Sequence, residues 1–298
     1  MVWRYSWEAI INLLHELLIP QRRSDGDWTG SPGPAMGPRM FGGQAVAQAL
    51  LAAAGEEQGG KLAHSLHAHF LKAGIATEPT DYAVTTLSEG RSFATRRIDA
   101  LQHGRLIFSM TASFHAPESG LAHQIDAPLS LDIEAALESL EQWIEKHPDS
   151  AASPIFGRLE KRPIEIVPLD PGALFSSRPR EPSIGTWMRI RQASPDDPAL
   201  QRAMLAYASD MMFLRNAMLP HGIRPGSDRV QAASLDHALW FHTTPDFNDW
   251  LLYATSSPWS GHARGLNLGH FFARDGQLVA TVTQENLMRP RGDGDTTT

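Results

Sequence analysis

A weak internal repeat constrains this chain more than any other feature of its sequence. LQHGRLIFSMTASFHAP (101–117) and ARDGQLVATVTQENLMR (273–289) superpose at an offset of 172, which sets Gly104 on Gly276, Leu106 on Leu278 and Thr111 on Thr283. Each segment reads as a glycine turn with a strand on either side. A second pair precedes them, SLHAHFLKAG (65–74) and SLDHALWFHTTP (234–245), both strand-like and offset by about 169. Further upstream each half carries one long helical segment, GGQAVAQALLAAAGEE (42–57) in the first and DDPALQRAMLAYASDMMFL (196–214) in the second. The same order of elements therefore occurs twice.

The second helix has a defined start, with Asp196 or Asp197 as N-cap and Pro198 in its first turn. The first is alanine-rich and apolar nearly all round, so it must be buried. The only cover available in each half is the antiparallel sheet made by the strands that follow. The expected fold is α+β, a long helix wrapped by a curved sheet, made twice. The two units are placed at 1–116 and 186–298, with 117–185 as a linker. In that linker SLDIEAALESLEQWIEKH (130–147) sets Leu131, Ala135, Leu140 and Ile144 on one face of a surface helix. Prolines at 168, 171, 179 and 182 then make an extended connector.

A content of 42% hydrophobic and 20% charged residues is that of a globular protein. The net charge is −7 with no basic block, which argues against nucleic acid or an anionic membrane as partner. The chain has no cysteine, which removes disulfides and thiolate chemistry and fits a cytoplasmic location. The apolar stretch Ile10 to Leu18 is too short to cross a bilayer, and no signal peptide is recognisable, so no membrane insertion is expected. The histidines show no HExxH pattern, and neither metal nor cofactor is expected.

Against this apolar plan three polar residues stand out. Residues two apart on a strand share a face, so Gln284 points inward with Leu278, Ala280 and Val282. Asp210 shares a helical stripe with Ala203, Tyr207 and Leu214. Ser234 opens the strand SLDHALWF on the side of Ala238 and Trp240. Each has a plain structural reading: a carboxylate tilted to solvent or bonded to a backbone N–H, an amide closing a sheet edge, a hydroxyl at a strand start. Together they have a sharper one, in which burial raises the pKa of Asp210 toward that of a general base and the other two help hold a water. The repeat places Ala112 and Ser65 opposite Gln284 and Ser234, and the first helix has no clear acid, so only the second half would carry the chemistry.

Six blocks in order, MFGGQAVAQAL (40–50), HSLHAHFLKAG (64–74), GRSFATRRIDALQHGRLIFSMTASF (90–114), LAYASDMMFL (205–214), SLDHALWFH (234–242) and GQLVATVTQENLMR (276–289), resemble the acyl-CoA thioesterase II family. The resemblance implies two fused hotdog domains, hydrolysis of acyl-CoA to free acid and CoA, and an Asp, Thr and Gln triad that orients the attacking water. Carried over, the triad falls on Asp210, Ser234 and Gln284, with serine in the threonine position. The family's usual QEG block reads QEN here, with Asn286 in the glycine position.

No GxSxG elbow is present, so direct attack by water is the economical route. The N-terminus of the first helix offers Gly43 N–H as an oxyanion donor. His64 aligns with a histidine of the family and either lies near the site or bonds backbone. Arg96, Arg97, Arg264 and Arg289 are candidates for the CoA phosphates or are solvated surface groups. Two rival readings are an enoyl-CoA hydratase, with His64 or His237 paired to the aspartate, and a non-catalytic acyl-CoA binding module. A homo-oligomer, dimer or tetramer, is expected because hotdog sheets pair edge to edge or back to back.

Overall fold

Alternation of buried and exposed residues, interrupted by bulges, shapes the strands of the first half. The structure, a computed structural model, describes residues 14–33, 38–57, 59–128, 130–148, 163–224 and 227–291. In chain order the first half contains α1 (Leu14–Leu18), β1 (Gln21–Arg22), β2 (Trp28–Gly30), α2 (Gly42–Gly55), β3 (Leu62–Phe70), β4 (Thr80–Glu89), β5 (Phe93–Gln102) and β6 (Arg105–His115). In β5 the inward set is Ala94, Arg96, Ile98 and Ala100, and in β6 it is Phe108, Met110, Ala112 and Phe114. Their hairpin closes through His103 and Gly104, at φ 52 and 70, a left-handed pair whose twist matches that of the strands.

The middle segment is more than a connector. Helix α3 (Ile133–Lys146) starts at Asp132, whose side chain accepts from Ala135 N–H. Its buried face is Ile133 and Ala136, whereas Ala135, expected on that face, is exposed. Strand β7 (Ile164–Pro168) and the short helix α4 (Pro171–Phe175) follow, and β7 pairs with β8 (Ser183–Ile190), extending the sheet. Ile133 and Ala136 pack with Val167, Trp187, Trp250, Leu252 and Phe272, a second core on the sheet face turned away from the long helices.

The second half continues with α5 (Pro198–Ser209), α6 (Arg215–Met218), β9 (Val230–Ser234), β10 (Asp236–Phe241), β11 (Leu251–Gly261), β12 (Arg264–Ala273) and β13 (Leu278–Pro290). As expected, Asp197 caps α5, accepting from Ala199 and Leu200 N–H, and Pro198 fills the first turn. Among the described residues all strands join one sheet in the order β1-β2-β4-β5-β6-β3-β10-β13-β12-β11-β8-β7, with β9 also on β13. The seam between halves is the antiparallel pair β3–β10, in which Leu66 faces Leu239 and Ala68 faces His237. Arg202 of α5 reaches across it to donate to Ala63 O at 3.0 Å. Edge-to-edge pairing, expected between copies, is thus made within one chain.

The cover of the long helices differs from expectation. Helices α2 and α5 share one core with both sheet halves and press against each other, so closely that a Cβ on Gly43 would stand 2.4 Å from Tyr207 O. Each helix is therefore covered by its twin as well as by its sheet. In β13 a bulge opposite Phe271 and Phe272 adds Val279, so Leu278 faces the outer core and not the side shared by Ala280, Val282 and Gln284.

Candidate active site

Helix α5 ends sooner than its apolar pattern suggests. Ser209 is its last residue, Asp210 is the C-cap, and Met212 takes a left-handed φ of 64. The stripe from Ala203 to Leu214 is therefore broken, and Leu214 instead leads into α6. The end is held by Tyr253, whose hydroxyl donates to Ser209 O at 2.8 Å. Turning out of the helix carries the Asp210 side chain toward the other half.

There it meets a helix start that lacks its own cap. Phe41, at the N-cap of α2, offers no side-chain acceptor, and the first turn carries no acidic residue. Gly43 N–H donates instead to Asp210 Oδ2 at 2.9 Å. An aspartate of the second half thus caps the first half's helix, at the positive end of its dipole. Glycine is required on both flanks of this contact: a Cβ on Gly42 would lie 2.7 Å from Asp210 Oδ2, and one on Gly43 would meet Tyr207 O.

Burial pushes the Asp210 carboxyl up to about 6, while hydrogen bonding from Gln284, Gly43 and Ser234 pulls the other way. The structure therefore brings Asp210, Ser234 and Gln284 together, with Gly43 beside them. The residue keeps some surface open, although its carboxylate is closely surrounded by protein.

Ser234 enters the site by a route the alternation does not show. It is the last residue of β9, paired with Asn286, and an extra residue at Leu235 shifts the register before β10, where Ala238 pairs with Thr283. Ser234 therefore faces inward with the odd-numbered His237, Leu239 and Phe241, and not with Ala238 and Trp240. The bulge lets both Ser234 and His237 reach Gln284. Gln284 Nε2 donates to Ser234 Oγ and to Asn286 Oδ1, each at 2.9 Å, and Gln284 Oε1 lies 2.5 Å from His237 Nδ1.

The donor directions follow from Asp210. An amide oxygen turned toward a carboxylate would be repelled, so Gln284 presents its Nε2 on that side and its Oε1 to His237. His237 then carries its proton on Nδ1, and its Nε2 lies 2.8 Å from Ser209 Oγ, a hydroxyl that also stands 2.8 Å from Ala206 O. Burial holds this ring down at about 4, despite Gln284 and Asp236, so it is neutral at ordinary pH.

Other expected residues lie elsewhere. Gly43 N–H, expected as an oxyanion donor, is already engaged by Asp210. His64 Nε2 pairs with Ser113 Oγ at 2.9 Å beside Phe93 and His115, away from this cluster, because a bulge after Ala63 turns it outward. Arg96 is buried in ion pairs with Glu57 and Glu89 and lies over Phe114, so it cannot greet a phosphate arriving from solvent. Arg97 pairs with Asp99, Arg264 with Glu285, and Arg289 donates to Gln231, so the four do not form one cationic cradle. Asn286 and Tyr253 carried no role in the sequence reading. Tyr253 was legible from the repeat, since Tyr82 and Tyr253 are both fully buried at an offset of 171.

Among the described residues no helix is long and apolar enough to cross a membrane. The family model described as acyl-CoA thioesterase matches residues 180–287, and that described as acyl-CoA thioesterase N-terminal domain matches 29–115. Acyl-CoA thioesterase 2 of Haemophilus influenzae is 33% identical over 283 residues, 94% of this chain and 98% of that protein. Human acyl-coenzyme A thioesterase 8 is 36% identical over 260 residues, 84% of this chain and 81% of that protein. The crystal structure of an acyl-CoA thioesterase II, TesB2, from Mycobacterium marinum superposes with a TM-score of 0.76 at 32% identity, over 94% of this chain and 99% of that one. With two helix-and-sheet repeats in the double hotdog arrangement and relatives matched along nearly their whole length, the chain belongs to the acyl-CoA thioesterase family.

Proposed function

We propose that this chain hydrolyses acyl-CoA thioesters with a water activated by Asp210 and positioned by Gln284 and Ser234. One observation carries the reading: the carboxylate stands at the meeting of the two long helices, held by Gly43 N–H, with an amide and a hydroxyl in reach and its acidity shifted to about 6. A base at that value is ionised at neutral pH and still takes a proton readily.

The water oxygen adds to the thioester carbonyl carbon while its proton passes to Asp210. The tetrahedral intermediate then expels the CoA sulfur as the C–S bond breaks, and the proton held by Asp210 goes to that sulfur. Free acid and thiol leave, and the carboxylate is restored. The Gln284 to Ser234 hydrogen bond directs the Ser234 hydroxyl proton toward Asp210, so the serine serves as a relay of orientation and not as a nucleophile. Gly43 positions the base.

Release of free thiol from a series of acyl-CoAs tests this directly. Ser234→Ala is expected to lower kcat about tenfold and Gln284→Ala about a hundredfold, the losses of one and of several polar contacts. Thiol release at the wild-type rate from both variants would remove the proposal.

His237 acts through Gln284. His237→Leu is expected to lower kcat about tenfold by freeing the amide, while the pH profile keeps its midpoint. A shifted midpoint would instead make His237 the titrating base. The hydratase reading is disfavoured for the same reason, because both ring nitrogens of His237 are engaged and His64 is remote from Asp210.

A further inference from the structure

Helix α5 stops where its sequence carries no stop signal. No glycine or asparagine follows Ser209, and it is Met212 that bears the left-handed turn, at φ 64. The apolar run continues through Met211, Met212, Phe213 and Leu214, so the local pattern alone would extend the helix. A continuing helix would bring Phe213 N–H onto Ser209 O. That carbonyl instead accepts from the Tyr253 hydroxyl at 2.8 Å.

The ring that delivers this hydroxyl has little freedom. Phe271, its direct partner on the neighbouring strand, stacks on it with centroids 3.9 Å apart and planes at 5°. Phe213 tilts against it at 5.6 Å, and a Cβ on Gly269 would stand 2.5 Å from Tyr253 Cε2, so glycine leaves the ring its place. Burial, and after it the nearby Asp210 carboxylate, push the phenol well above its ordinary value, so the hydroxyl stays a donor throughout the working pH range. Ser209 is gripped a second time, its Oγ lying 2.8 Å from both Ala206 O and His237 Nε2.

The repeat supplies a contrast. Tyr82, the counterpart of Tyr253, is equally buried, but its hydroxyl donates to Gln48 Oε1 at 2.8 Å, within α2 and not at its end. Of the two, Tyr253 alone meets a helix end, and the residue after that end is Asp210.

Resting on the hydrolytic reading above, we propose that Tyr253 is a positioning residue: its hydroxyl ends α5 at Ser209 and thereby holds the Asp210 carboxylate against Gly43 N–H, beside Gln284 and Ser234. It acts through the backbone of Ser209. Without the hydroxyl, Ser209 O loses a buried partner, extension of α5 by another turn becomes favourable, and Asp210 swings off its position.

The test sets Tyr253→Phe beside Tyr82→Phe, since each removes one buried hydroxyl and keeps its ring. Thiol release from one acyl-CoA, denaturant unfolding, and the titration of the Asp210 carboxyl by 13C NMR, assigned with Asp210→Asn, are measured on all of them. Both tyrosine variants are expected to lose comparable stability. Tyr253→Phe alone should lower kcat, by about thirtyfold, with KM within about twofold of wild type. Its Asp210 midpoint should fall by roughly one unit from near 6, because burial is what raised it. Gly269→Ala, which displaces the ring and keeps the hydroxyl, should move both readings the same way, and it replaces Tyr253→Phe if that variant does not fold. Wild-type kcat and midpoint in Tyr253→Phe overturn the proposal, as does a lowered kcat with an unmoved midpoint. An equal fall of kcat in Tyr82→Phe would make the effect one of general packing, and overturns it too. If the wild type releases no thiol, the hydrolytic reading is at fault, and the NMR midpoint still decides whether Tyr253 places Asp210.

Discussion

Asp210→Asn is expected to lower kcat for acyl-CoA hydrolysis by about a thousandfold while making the folded protein more stable above pH 6. The rate falls because asparagine cannot accept the proton of the attacking water, and a positioned general base contributes about 10²–10⁴-fold. Stability rises because the carboxyl, held at about 6 against 3.8 when unperturbed, resists ionisation when buried. Between those values the folded state binds more protons than the unfolded one, so this group's contribution to stability declines as pH rises from about 4 to about 6 and then stays level. The full effect is on the order of 3 kcal/mol, and asparagine removes it. His237 works in the opposite sense, since its value is lowered to about 4 and its contribution is lost as pH falls from 6.5. It is present in both proteins and drops out of the difference between them. Denaturant unfolding at pH 4 and pH 8 measures that difference, and kcat/KM of the wild type should rise with pH to a plateau with a midpoint near 6. A variant retaining more than a tenth of the activity, or a profile flat from pH 5 to 8, would falsify the assignment of Asp210 as base.

Gly43→Ala should be the most damaging change outside the polar cluster. Its Cβ would lie 2.4 Å from Tyr207 O, a backbone atom that cannot rotate away, so α2 and α5 must part. Separation of two packed helices forfeits contacts on both, with an expected loss of roughly 2–3 kcal/mol. It also draws Gly43 N–H away from Asp210 Oδ2, and a displacement of about 1 Å in a catalytic group costs on the order of 10²-fold in rate. Unfolding midpoints and thiol release measured on one preparation separate the two effects. Wild-type values in both would show that the helices have slack at this crossing, against the close contact described above.

Much of this architecture was legible in the sequence, because the repeat, the glycine turns and the proline at the start of α5 each follow from local chemistry. Asp210 and Gln284 were legible as polar groups in apolar company. What escaped was register. Strand periodicity assumes two residues per repeat, and a single added residue at Leu235 reverses it, so Ser234 and His237, three apart, reach one amide. A second extra residue at Val279 likewise sent Leu278 to the outer core. The partnership of Asp210 with Gly43 spans 167 positions and depends on how two helices cross, which no local pattern encodes. The arginines could not be sorted either, because the buried ion pairs of Arg96 depend on Glu57 and Glu89 arriving from separate elements.

The seam between β3 and β10 has a further consequence. The donor that steadies Asp210 comes from the opposite repeat, but both repeats travel on one polypeptide whose ladder runs unbroken from one to the other. Had the two been separate molecules, completing the centre would be a bimolecular event, governed by how much protein is present. Tethering makes it unimolecular, so the contact between Gly43 and Asp210 forms within one chain at any dilution.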